Sequence, residues 1–139
     1  VEIRKLIIDD YDAVYALWSA TPGVGLNDID DSRAGIEKYL KRNPETSFAA
    51  LENGKLVGVI MCGHDGRRGF IYHMTVAVEA RGRGIGTALL SAAENALRAE
   101  GIIKAALVVF CDNEVGNNFW ERRGYTTRPD LHYRNRSLI

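Results

Sequence analysis

A chain of 139 residues, 46% apolar and 26% charged, is long enough for one domain around one core, and its composition is ordinary for a globular protein. Its 18 basic residues balance 18 acidic ones, so a formal net charge of zero offers no overall field to nucleic acid or to an anionic membrane. No apolar stretch approaches the roughly 20 residues of a membrane span. No signal-peptide pattern opens the chain, and Cys62 and Cys111 sit in apolar runs without CxxC spacing, so both read as buried, reduced thiols rather than as a disulfide or metal site. The expected setting is the cytoplasm.

Glu2 to Ile8 alternates and is rich in Ile and Leu, which predicts a first strand. Asp9 or Asp10 is placed to cap a helix whose Tyr11, Val14, Tyr15 and Trp18 follow i, i+3, i+4, i+7 spacing. Thr21-Pro22-Gly23-Val24-Gly25 breaks it. Past the acidic stretch Asn27 to Asp31, Asp31 or Ser32 caps a second helix that buries Ile36, Tyr39 and Leu40 and stops at Asn43-Pro44. Ser47 to Glu52 and Lys55 to Gly63 read as strands joined by Asn53-Gly54, the strongest short hairpin signal.

His64 to Gly69 turns the chain into a strand from Phe70 to Val78. Ile85, Ala88, Leu89, Ala92, Ala93, Ala96 and Leu97 then form a helical stripe that Gly101 ends as a C′ residue. Lys104 to Cys111 is an apolar run, expected as a strand buried on both faces. Asn113 to Arg123 predicts a short helix closed by Gly124. Tyr125 to Arg128 and Leu131 to Ser137, around Pro129-Asp130, predict a terminal hairpin whose edge would suit a homodimer. The order is β α α β β β α β α β β, one domain over residues 1–139 without repeats or linkers.

Between the strand at Phe70 and the helix at Ile85 lies Arg81-Gly82-Arg83-Gly84-Ile85-Gly86-Thr87. Alternating glycines let the chain turn sharply and bring successive N–H groups to one anion, and the following helix adds its first-turn donors and the positive end of its dipole. A phosphate-bearing ligand is expected here, with a tight turn that binds nothing as the plain alternative. A P-loop would need Gly-Lys-Ser/Thr, and Ile85-Gly86-Thr87 lacks the lysine. A dinucleotide fold would place Gly-x-Gly-x-x-Gly after the first strand of a βαβ unit, whereas this loop follows a meander.

Arg81-x-x-Gly84-x-Gly86 resembles the Q/R-x-x-G-x-G/A signature of the GNAT superfamily of N-acetyltransferases. Met74-Thr75-Val76 is similar to that family's Leu-x-Val on its fourth strand. Asn113 with Phe119-Trp120-Glu121-Arg122-Arg123-Gly124-Tyr125 resembles its second signature, and the element order matches from end to end. The narrower likeness is to small bacterial YpeA-type and ribosomal-protein-acetyltransferase-like members.

The resemblance implies an α/β chain of α+β type with the acyl-CoA N-acyltransferase fold. That fold has a mixed, mostly antiparallel sheet, about four flanking helices and a splay between its fourth and fifth strands. It implies acetyl-CoA as cosubstrate and no metal. The pyrophosphate would lie on the backbone of Arg81, Gly82, Arg83, Gly84, Ile85, Gly86 and Thr87, with the two arginines at its rim. Pantetheine would lie in the splay against Met74, Thr75 and Val76, and Asn113 and Phe119 would meet its arm; core packing is the plain alternative for Phe119. A primary amine would attack the thioester directly in a ternary complex, with a backbone donor near Val76 meeting the oxyanion.

Two positions depart from the pattern. Trp120 stands where the family's proton-donating tyrosine falls, and an indole N–H is a donor without being a practical acid. Another group or water would then reprotonate the thiolate, or else the chain is a CoA-binding regulatory or weakly catalytic module. No carboxylate base is evident: Val108 and Phe70 fill positions that carry one elsewhere in the family. Tyr72, expected on one face with Met74 and Val76, is the candidate for ordering a water or the amine, with an ordinary buried tyrosine as the alternative. His73 is expected on the opposite face, as a core or interhelical residue, and His64 and His132 have no motif behind them. Asn27, Asp28, Asp30 and Asp31 read either as an acidic rim for a cationic amine or as caps on a solvated loop. The acceptor would be a small-molecule amine, polyamine-like or aminoglycoside-like, an amino acid, or a peptide N-terminus. Neither nucleic acid nor a membrane is an expected partner.

Overall fold

A computed structural model describes residues 1–139, which group into two compact units, Val1–Val108 and Val109–Ile139. The first holds β1 (Glu2–Lys5), a 3-10 turn at Ile8–Asp10, α1 (Tyr11–Ser19), α2 (Arg33–Arg42), β2 (Phe48–Glu52), β3 (Lys55–His64), β4 (Gly69–Val76), a 3-10 turn at Val78–Ala80, α3 (Ile85–Ala99) and β5 (Ala105–Leu107). Its sheet runs β1-β2-β3-β4-β5, antiparallel except for the parallel β4–β5 pair. Asn53 and Gly54 both take positive φ, 52° and 77°, the geometry a two-residue hairpin turn of type I′ requires.

The central strand, β3, is covered on both faces. Val59 and Met61 pack with Leu6, Val14, Trp18, Ile36 and Leu40 beneath α1 and α2. On the other face α3 buries Ile85, Leu89, Leu90, Ala93 and Leu97. Gly58 lets that helix come close, since a Cβ there would stand 3.0 Å from Leu89 Cδ1 and 3.3 Å from Ile85 Cγ2. Of the four aromatics and aliphatics expected to form the core face of α1, Val14 and Trp18 are buried, while Tyr15 is 42% exposed.

Caps follow local chemistry. Ser32 caps α2, its Oγ accepting from the Gly35 amide at 3.1 Å. Asp10 precedes α1 without capping it, because its two oxygens take the Arg4 guanidinium at 2.8 Å each and the Ile7 amide at 3.1 Å.

The apolar run from Lys104 pairs over Ala105–Leu107 alone, and none of those three residues is buried, so the expected doubly buried strand is corrected to a short edge strand. β-branched and aromatic residues suit a strand only where a surface covers them. Val108 is 56% exposed.

The second unit contains α4 (Glu114–Arg122). Asn113 caps it, Oδ1 accepting from the Gly116 amide at 2.9 Å, and Gly124 closes it at φ 85°. The turn expected at Pro129-Asp130 forms, with the Leu131 amide donating to Arg128 O at 3.2 Å, but no strand flanks it. A two-stranded ribbon is marginal unless one face is buried, and Leu131, Tyr133, Leu138 and Ile139 are all exposed. The edge expected for a homodimer is therefore not formed. Cys111 is likewise exposed rather than buried.

Candidate active site

The sheet opens at one place. Parallel pairing of β4 with β5 covers Gly69, Phe70 and Ile71 and then stops, while β4 continues to Val76. Along that outer edge the Val76 carbonyl accepts from Arg81 Nε at 3.1 Å, a side chain standing where a strand would have been.

β4 also carries a bulge. Tyr72 pairs with Met61 and Thr75 with Val59, so two residues, His73 and Met74, oppose the single residue Ile60. Directly paired residues share a face, and Met61 and Val59 both face α1 and α2. Tyr72 and Thr75 therefore share that face, and Val76, paired with Gly58, lies on the face toward α3. This corrects the expected grouping of Tyr72 with Met74 and Val76, because one extra residue inverts the alternation beyond it. Tyr72 is 43% exposed, packed against Phe70 and Tyr39 with ring centroids at 4.7 and 5.9 Å.

His73 is also placed differently from expectation. It has φ 46°, and its ring packs edge-on against Trp18 at 5.0 Å on the α1 side. Nε2 lies 3.0 Å from Asp31 Oδ1, the other Asp31 oxygen accepting from the Asn27 amide at 2.8 Å. The His73 carbonyl accepts from Trp18 Nε1 at 3.3 Å and from Thr75 Oγ1 at 3.0 Å. Thr75 is buried and locks the bulge. Asp31 also lines an open hollow of about 370 Å³ with Tyr11, Tyr15, Asn27 and Asp28. Arg33 stands over the Tyr11 ring at 5.8 Å.

The glycine loop turns through left-handed backbone at two of its glycines. Gly82 and Gly84 each have φ 79°, and α3 starts at Ile85 without a side-chain cap on its first-turn amides. A Cβ on either glycine would meet no protein atom within 4 Å, so the space beside the loop is open. Arg83 is turned away: Nη1 and Nη2 bond Glu52 at 2.6 and 3.0 Å, and Nε reaches Ala80 O at 3.4 Å. That hydrogen-bonded pair holds the Glu52 carboxyl below its usual range. Of the two arginines expected at the rim, Arg83 is thus committed to β2.

In the second unit Phe119 is half-buried beneath the Arg123 guanidinium, 4.2 Å from its ring centroid. Trp120 is 8% exposed, edge-on to Phe119 at 5.0 Å and to Tyr125 at 5.2 Å.

The model of the acetyltransferase (GNAT) family matches residues 11–125, through the bulged strand, the nest and α4. The chain belongs to the GNAT acetyltransferase family. An acetyltransferase of Pectobacterium atrosepticum is 38% identical over 127 residues, 91% of this chain and 89% of the relative. Among solved structures, the PaiA N-acetyltransferase of Thermoplasma acidophilum in complex with coenzyme A superposes with a TM-score of 0.78 at 22% identity, over 91% of this chain and 90% of that one. A ribosomal-protein-alanine N-acetyltransferase of Brucella melitensis does so with a TM-score of 0.73 at 21% identity, over 99% of this chain and 100% of that one. The likeness to these structures bears out the expected GNAT fold. Within it, the Asp31–His73 pair carried no sequence signal, since a 42-residue separation and a bulge of uncertain position hid it.

Proposed function

We propose that this GNAT chain transfers an acetyl group from acetyl-CoA to a primary amine, of a small molecule or a peptide N-terminus, by direct attack in a ternary complex. The observation that carries the reading is the open glycine nest at the head of α3, next to a β4 edge whose pairing ends at Ile71. Backbone donors from Arg81 to Thr87 suit a pyrophosphate, and an amide-bearing arm suits a β4 edge that has no strand partner beyond Ile71 and meets a side chain, Arg81, at the Val76 carbonyl. By the resemblance of their segment to the family's second signature, Asn113 and Phe119 are proposed as cofactor contacts, and Trp120 as the residue at the proton donor's position. Tyr72, exposed on the α1 and α2 face, is proposed to help order the acceptor.

The reaction moves one proton in all from nitrogen to sulfur. The amine lone pair forms the N–C bond, the C–S bond breaks with its electron pair on sulfur, and the thiolate takes a proton from water. Isothermal titration with acetyl-CoA and CoA, followed by CoA release with spermidine, kanamycin, amino acids and an alanine-initiated peptide, tests this, each product being confirmed by mass. Micromolar binding with steady release is expected. Absence of binding at millimolar acetyl-CoA overturns the reading. Tight binding without release from any amine makes the chain a CoA-binding module instead.

A further inference from the structure

We propose that His73, with Asp31 behind it, is the proton acceptor for the attacking amine. This inference rests on the acetyltransferase reading above. Three observations converge on it. His73 lies two residues past Ile71, where β4 leaves its pairing with β5, and so stands at the mouth of the opening proposed for the thioester. It also takes an uncommon backbone geometry at the bulge: only Asn53 and His73 among non-glycine residues have positive φ, and Asn53 serves a hairpin turn that demands it. At φ 46° an asparagine or glycine would sit at lower cost, and geometry of this kind collects where a side chain is used.

The third observation is the dyad itself. Asp31 Oδ1 accepts from the Nε2 side of the ring at 3.0 Å, which fixes the proton on Nε2 and leaves the Nδ1 lone pair as the acceptor. Asp31 is 7% exposed and held by the Asn27 amide, and the Tyr11 hydroxyl donates to its carbonyl at 2.7 Å. A carboxylate so fixed orients the ring and stabilises the imidazolium. The other titratable groups on this side are Tyr72, its ring centroid 6.4 Å from that of His73, and Asp28, Tyr11, Tyr15 and Arg33 in the hollow that shares Asp31. That hollow brings two carboxylates and two tyrosine rings up to the dyad, with Arg33 over the Tyr11 ring as the one cation in its lining.

An acceptor ammonium gives one proton to His73 Nδ1, directly or through a water, and becomes the neutral amine that attacks. The imidazolium passes the proton to solvent. The nitrogen gives its remaining extra proton to water as the C–S bond breaks, and the thiolate takes one from water, which leaves the solvent's proton count unchanged in that step.

The test measures kcat/KM against pH, with acetyl-CoA and whichever amine of the panel above the wild type acetylates, for the wild type, His73→Asn and Asp31→Asn. Asparagine accepts positive φ but gives up the contact with Trp18 and the bond to buried Asp31, so His73→Asn is expected to fold with a lowered melting temperature and to hold CoA affinity within about threefold. It is expected to lose about 100-fold or more in kcat/KM together with the acid limb of the profile. Asp31→Asn keeps shape and removes the charge that stabilises the imidazolium, so kcat/KM is expected to fall about 10-fold or more with CoA affinity held within about threefold. Should His73→Asn not fold, Asp31→Asn alone decides: a kcat/KM within about threefold of the wild type overturns the proposal. A His73→Asn variant with the wild-type limb and a rate within threefold also overturns it and leaves the acetyltransferase reading standing. A wild type silent with every amine overturns both.

Discussion

Arg83 spends its guanidinium on Glu52, at 2.6 and 3.0 Å, while its neighbour two residues back, Arg81, makes a single bond to the Val76 carbonyl. The two arginines of the loop are therefore unequal. Arg83 ties the nest to the end of β2, and its charge is matched. The charge of Arg81 faces no carboxylate. Arg81→Met is expected to weaken CoA binding about 3- to 10-fold and to flatten its salt dependence, while Arg83→Met stays within about threefold. Titration calorimetry at 50 and 300 mM salt separates the two; equal losses would place both guanidinia on the phosphates. (The salt values are roughly chosen to bracket a Debye length of about 10 Å.)

Gly84 tests the nest itself. Its φ of 79° is costly for an L-residue, yet an added Cβ would touch no protein atom. Gly84→Ala is thus expected to lose about 1 kcal/mol of stability through backbone strain alone. Its loss of CoA affinity is expected to be larger, about 10-fold or more, because the methyl occupies ligand space and the strain tilts the donors. Thermal melts with and without CoA report both. Full affinity in the folded variant would move the phosphate site elsewhere.

Asp10 gives a pH signature. Burial pushes its carboxyl up, and the Arg4 fork with the Ile7 amide outweighs burial, so the group is held below its usual range. A depressed folded pKa means that the contribution is complete above the unfolded value, about 4, and fades as pH falls through the lower folded value. Asp10→Asn is expected to cost about 1–2 kcal/mol at pH 7, screened in part by the exposure of Arg4. Urea unfolding should show wild type and variant converging below about pH 3. A constant gap would assign the cost to packing.

Legibility in the sequence followed the range of the interactions. Asn53-Gly54, the α3 stripe and the turn at Gly101 are local, each written in a few adjacent residues, and formed where expected, apart from an exposed Ala88 and a buried Leu90 in the stripe. The β4 bulge is not local. Val59 and Met61 take their partners three residues apart on β4, and no single-strand pattern records that count. One extra residue then misassigned the faces of Tyr72 and His73. The segment after Gly124 failed for a different reason: alternation in sequence makes strands only when something covers one face, and Leu131 and Tyr133 stay exposed. Glu52, 31 residues from Arg83, shows the same limit for charge pairs.

The two cysteines should separate cleanly. Cys62 is fully buried in β3, and burial pushes its thiol up to about 12, so almost no thiolate exists at pH 8 and no reagent reaches it. Cys111 is exposed. An aromatic disulfide reagent is expected to titrate one thiol per native chain quickly and the second only on unfolding. Two fast thiols would mean that β3 opens readily, and a Cys111→Ser variant then tells which one reacts.

Trp120 tests the leaving-group side of the proposed reaction. Its indole packs edge-on between Phe119 and Tyr125, at 5.0 and 5.2 Å, and an indole N–H does not serve as an acid near neutral pH. A phenol does so more readily, and Trp120→Tyr is smaller, so the cost is lost packing, about 1–2 kcal/mol. If turnover is limited by breakdown of the intermediate with an unprotonated sulfur, kcat should rise severalfold while CoA affinity changes little. If the chain reprotonates sulfur through water and amine attack limits the rate, kcat stays level. Because His73 is proposed to act on the attack step, combining Trp120→Tyr with His73→Asn tells these apart: a gain from tyrosine that vanishes in the His73→Asn background places proton removal from the amine before proton delivery to sulfur.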